Sequence, residues 1–209
     1  MSFNLLIEQL PYKIQIDDKD YKIDSSFKTI ILIDSILREE LLDDTEKIVL
    51  CLSYFYKNSI PDNKQEAFEK LLLFRNGVLS IEELEENREY DILGNPIEQK
   101  SGERAYDFEI DSKRIFSAFY QQYRIDLQEV EQLHWFKFLA LFEGLTEETE
   151  LVKIMQFRTI DISSNMSKEQ KQFYTRMKNK YRLPSSNVEA KNDFADQFLI
   201  GAIKKGGDS

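Results

Sequence analysis

Glu131 and His134 stand at the Glu-x-x-His spacing that sets a carboxylate and an imidazole on one helix face, as in di-iron carboxylate bundles. Such a centre needs two of these motifs, and the chain has one histidine. A metal-binding helical enzyme would therefore need a second copy across a symmetry axis, which leaves it the remote alternative. The same imidazole has no nucleophile partner at a recognisable spacing. A packed, hydrogen-bonded His134 is the plainer reading. The single cysteine, Cys51, falls on the apolar stripe of a helix. It reads as a small buried hydrophobe rather than a reactive thiol, and it excludes an intrachain disulfide. The acidic run 82–89 could attract a cation or a basic partner, but such runs are ordinarily solvated. The seven glycines are scattered, so no phosphate-cradling loop exists. Residues 171–182, KQFYTRMKNKYR, have a nucleic-acid-like composition. Helical spacing turns their aromatics inward and their cations to water. The expectation is no catalytic residue, no cofactor and no metal.

Composition is that of an ordinary acidic globular protein. The chain has 209 residues, 42% of them hydrophobic and 32% charged, enough to bury a real core. A net charge of −10 argues against wrapping nucleic acid and against an anionic membrane surface. No run is long and apolar enough to span a bilayer. The opening MSFNLLIEQLPYK lacks a basic region followed by a long apolar one, so no signal peptide is expected.

The elements that must position these residues are mostly helices. Residues 12–23 alternate Tyr12, Ile14 and Ile16 against Lys13, Gln15 and Asp17, and a turn cluster at 17–20 makes this a β-hairpin. Helices are expected from 26 to 42, from Asp44, and from Pro61-Asp62 with Gln65 three residues on, the last stopping at Gly77. A helix capped by Asp111 carries Ile115, Ala118, Phe119 and Tyr123, with Phe116 and Tyr120 in a stripe read as core. Asp126, with Glu129 at N3, is expected to cap a long helix running to Gly144. Leu127, Val130, His134, Phe138, Leu141 and Leu145 give it one stripe; Leu133, Trp135, Phe136, Leu139 and Phe142 cover the other directions. A helix apolar nearly all round is either central or keeps one face for a partner. Its candidate partner-binding residues are Trp135, Phe136, Leu139 and Phe142. Thr146 is expected to cap the next helix. Ser167 and Gln170 form a capping box for the one after, which Pro184 stops.

The fold class expected is therefore mainly α: a multi-helix bundle with a small N-terminal β-hairpin. Residues 1–81 read as hairpin plus helical subdomain, 82–105 as an acidic flexible linker, 106–183 as a C-terminal helical subdomain, and 184–209 as a mobile tail with a weak helix.

Several of these residues also carry a resemblance. Tyr106-Asp107-Phe108, Asp111, Ala118-Phe119, Tyr123, Ile125-Asp126-Leu127, the LHWFKF run from Leu133 to Phe138, Leu141-Phe142, Leu145, and Arg158 with Asp161 are similar to the pattern of the bacteriophage gene-product-fifteen family of Gram-positive tailed phages and prophages. Phe136 stands where that pattern has a second Trp. Genes of the family usually lie between those of the major tail protein and the tape-measure protein, where tail assembly chaperones are encoded. The resemblance thus implies a tail assembly chaperone acting in the host cytoplasm and absent from the mature virion. Its implied partners are the phage tape-measure protein and copies of itself or a neighbouring tail chaperone product, with no nucleic acid and no membrane. It implies no enzyme. The alternative is a structural tail or connector component of the virion.

Overall fold

The computed structural model describes residues 3–86, 104–184, 195 and 197–200. Its architecture is mainly helical with one two-stranded hairpin, as the periodicities predict. The elements are β1 (Lys13–Ile16), β2 (Lys19–Lys22), α1 (Phe27–Arg38), α2 (Asp44–Phe55), α3 (Lys64–Arg75), α4 (Ile81–Glu86), α5 (Ser112–Tyr123), α6 (Trp135–Glu143), α7 (Glu150–Thr159) and α8 (Lys168–Tyr181). The chain divides into two compact units, residues 1–98 with 132–139 and 187–209, and residues 99–131 with 140–186. Residues 132–139 thus belong with the N-terminal elements. Most of the expected linker and tail lies outside the described residues.

In the first unit the hairpin turns on Asp17 and Asp18, both left-handed (φ 46° and 60°), which pairs Ile16 with Lys19. Such a two-residue turn matches the twist of the strands, and Asp tolerates the left-handed region better than most residues. Alternation then points Ile14 and Ile16 into the core and Lys13 and Gln15 to water. The two strands lie on helices, as a lone hairpin must. α1 packs on α2, α2 on α3, and α3 on β1. α3 is the helix apolar on most sides, burying Phe68, Leu71, Leu72, Leu73 and Phe74. Phe198 closes edge-on against Phe68 (5.0 Å). α3 ends at Gly77, whose φ of +77° suits glycine, and an added Cβ there would lie 2.9 Å from Leu139 Cδ1.

The expected long helix from Asp126 is shorter. Asp126 Oδ1 does accept from Gln128 N (2.8 Å), but it closes only a single turn. The chain then runs extended to His134 and pairs with the entry to α1: Phe27 N–H donates to Leu133 O (3.0 Å) and Trp135 N–H to Ser25 O (2.7 Å). α6 begins only at Trp135. A non-local backbone bridge has won over a local helical pattern. Three caps shift for smaller reasons. Asn63, not Asp62, caps α3, and Thr149, not Thr146, caps α7. Asp111 precedes α5 but makes no side-chain cap bond, because its carboxylate is engaged elsewhere.

The second unit sets α5 against α7 and α7 against α8. Of the expected aromatic stripe on α5 only Phe119 is fully buried; Phe116 and Tyr123 are half-buried and Tyr120 is 50% exposed, so the stripe is not all core. Tyr123 donates its hydroxyl to Leu141 O (2.8 Å), and Gln122 bonds both Gly144 O (2.8 Å) and Thr146 N (2.9 Å), which fixes the turn after α6. The capping box of Ser167 and Gln170 is present at α8. The Leu133–Phe138 run and the segment at 104–111 supply what is distinctive in each unit.

Candidate functional site

The segment from Leu133 to Phe138 lies at the heart of the first unit. Trp135 stacks on Phe138 (5.4 Å), Phe138 on Phe27 (4.9 Å), and Phe136 on Phe74 (4.9 Å). The indole N–H of Trp135 donates to Arg75 O at the end of α3 (2.9 Å). Trp135 is 2% exposed and Phe136 6%. Phe142 is buried in the second unit against Tyr106 (4.7 Å), and Leu139 is half-buried. Three of the four candidate partner-binding residues, Trp135, Phe136 and Phe142, are therefore core residues of this chain, held by aromatic contacts that remove large apolar areas from water.

His134 sits in the same core, ringed by Tyr12, Phe74 and Phe136. Its Nδ1 accepts the N–H of Phe136 (3.1 Å), so the ring proton is on Nε2, which donates to Pro11 O (3.1 Å). Burial pushes its pKa below the usual imidazole range; the Pro11 carbonyl opposes this and Lys137 adds to it. Both ring nitrogens are thus used by backbone, and Glu131 is exposed. The pairing of Glu131 with His134 as metal ligands finds no geometry here. No group of three or more His, Cys, Asp or Glu able to hold a metal ion occurs among the described residues. Cys51 is fully buried, and desolvation pushes its thiol up to about 12.

Two charged centres were not anticipated. In the first unit Asp34 is buried and takes ion pairs from Arg38 and Arg75. In the second, Asp111 and Arg158 form a bidentate pair (2.5 and 3.0 Å) with side chains 0% and 5% exposed. Asp111 also accepts from Arg114 (3.1 Å) and from the backbone N–H of Asp107 (3.1 Å). Arg158 also donates to Ala105 O (3.0 Å) and Tyr181 O (2.7 Å). One guanidinium therefore ties the 104–111 segment, α5, α7 and the end of α8. Asp107 completes the knot, accepting from Glu109 N, Ile110 N and Arg104. The readable signal was a charged residue on an apolar stripe: Arg158 follows Leu151 and Ile154 in buried register, as Asp34 follows Ile30 and Ile33. These are structural centres, with both carboxylates paired to guanidinium groups.

The surface near the start of the chain displays apolar side chains. Leu6 is 95% exposed, Ile7 82% and Tyr12 57%, all near the start of the chain. Contiguous exposed aliphatics of this kind mark interaction sites more often than scattered ones do.

Asp111 and Arg158, two positions of the resemblance noted above, are thus each other's partners. The profile of the family described as Bacteriophage Gp15 protein matches residues 6–183. The chain belongs to that family. No curated protein and no solved structure was found to match it. A bacteriophage Gp15 protein points to a role in phage structure or morphogenesis. Among the described residues no helix is long and apolar enough to cross a membrane.

Proposed function

We propose that this Gp15-family protein is a tail assembly chaperone, a binding protein rather than an enzyme, which coats the phage tape-measure protein in the host cytoplasm and is absent from the finished virion. The observation that carries the reading is the displayed pair Leu6 and Ile7, 95% and 82% exposed, in a chain of phage-family membership. A tape-measure protein is largely an extended helix with an apolar stripe, and such a stripe is recognised by exposed aliphatic and aromatic residues. Each copy needs only weak affinity, because many copies along one long ligand gain avidity while remaining displaceable by tail-tube subunits. Trp135 and Phe136 belong to the core of the unit that carries Leu6 and Ile7, and Phe142 to the core of the second unit.

The test is co-expression with the tape-measure protein of the same phage, followed by affinity purification, with mass spectrometry of purified virions alongside. Co-purification with the tape measure and absence from the particle supports the reading. Presence in the particle without tape-measure association replaces it with a structural tail or connector role.

A further inference from the structure

Helix α8 carries a charge that the rest of the chain opposes. Between 168 and 182, six cations (Lys168, Lys171, Arg176, Lys178, Lys180, Arg182) face one carboxylate, Glu169, a net +5. The whole chain is −10, so everything else amounts to −15. None of the α8 side chains is fully buried. Its inner side is set by Phe157 of α7, which meets Phe173, Tyr174 and Tyr181 (6.1, 6.5 and 5.9 Å). The outer side is a stripe at helical spacing in which Lys171, Gln172, Thr175, Arg176 and Asn179 line a shallow depression. Phe173, 41% exposed, borders it with Arg176 over its ring. Among the described residues no carboxylate makes an ion pair with Lys168, Arg176, Lys180 or Arg182.

The complement of this stripe is in the same chain. Residues 39–46, EELLDDTE, hold Glu39, Glu40, Asp43, Asp44 and Glu46 and no cation, and all five carboxylates are at exposed positions. Leu41 projects among them, 92% exposed. An apolar knob ringed by carboxylates fits an apolar ring bordered by cations. A nucleic acid fits less well. Its charge continues along its length and would carry it from α8 onto a remainder of −15.

We propose that the outer face of α8 docks the acidic 39–46 corner of a second copy of this chain, with Leu41 seated against Phe173. The two patches are different surfaces, so each copy offers both halves of the contact. It goes beyond the chaperone reading, since it holds whatever Leu6 and Ile7 bind.

The test uses the full chain and two charge-reversal variants at exposed positions, R176E/K180E and E39K/D44K, with circular dichroism confirming that both fold. Sedimentation velocity at low salt is expected to show the unmodified protein in species larger than the monomer that dissociate as salt rises. Each variant alone is expected to be monomeric. Mixed in equal amounts, the two should associate again, because the unmodified corner of one variant meets the unmodified α8 of the other. A monomeric unmodified protein, a variant that self-associates like it, or a mixture that stays monomeric overturns the proposal. So does α8-dependent binding of a short DNA duplex without self-association. Loss of tape-measure binding alone leaves the self-association result intact, so the two failures are distinguishable.

Discussion

Replacing Arg158 by Met removes the centre of the second unit while nearly keeping its volume. Asp111 is then left fully buried, with Arg114 and one backbone N–H as its remaining partners. The carbonyls of Ala105 and Tyr181 lose a charged donor each. Breaking one side of a buried ion pair costs about 3–5 kcal/mol, most of it the penalty of an uncompensated charge. Removing both charges in D111L/R158M avoids that penalty and leaves mainly the lost hydrogen bonds, about 1 kcal/mol apiece. The double variant is therefore expected to be more stable than R158M alone, with a coupling of about 2–4 kcal/mol between the sites. Urea unfolding followed by circular dichroism reads this directly as a shift in midpoint at unchanged slope. R158K should fall between, because an ammonium cannot hold both carboxylate oxygens and two carbonyls at once. A loss below about 1 kcal/mol in R158M, or additive effects in the double variant, would refute the argument that this pair organises the unit.

Trp135→Phe should cost about 1–3 kcal/mol, since it keeps the stack on Phe138 but leaves Arg75 O without the indole donor, while Trp135→Ala should cost about 3–5; calorimetry separates them. The Cys51 thiol, fully buried and pushed up to about 12, should resist a thiol reagent at neutral pH and react only as urea opens the first unit. Burial holds the folded His134 imidazole below its usual 6.5, so the unfolded chain takes up that proton first. Stability from this residue is therefore present above pH 6.5 and lost as pH falls below it, and a pH series of urea midpoints should lose part of that slope in H134Q.

Where the signal was local, the residues announced the structure. Ser167 and Gln170 capped their helix because both partners lie within one turn. The Asp17-Asp18 turn and the alternation around Ile14 and Ile16 gave the hairpin for the same reason. The failures were non-local. Asp126 satisfied every local rule for a helix start, yet Leu133 and Trp135 took backbone partners more than a hundred residues upstream at Phe27 and Ser25. Asp111 looked like a cap because the residue that claims its carboxylate, Arg158, is 47 positions away. Trp135 and Phe136 were read as candidate contact residues because an all-round apolar helix suits either a core or an interface. Sequence spacing has no way to state that Phe74 stacks on Phe136 or that Arg75 O takes the indole N–H of Trp135. Leu6 and Ile7 drew no notice for the converse reason: an apolar pair shows itself as a surface feature only once the fold leaves it outside.

The most direct measurement of the central claim is the copy number of this protein on its tape-measure partner, taken by light scattering of the co-purified complex, for the unmodified chain and for L6S/I7S. The account predicts many copies per tape measure for the unmodified chain. It predicts loss of association for the variant, with its folded stability and α8-dependent self-association unchanged. An unmodified chain that leaves the tape measure bare, or a variant that coats it equally well, contradicts the account.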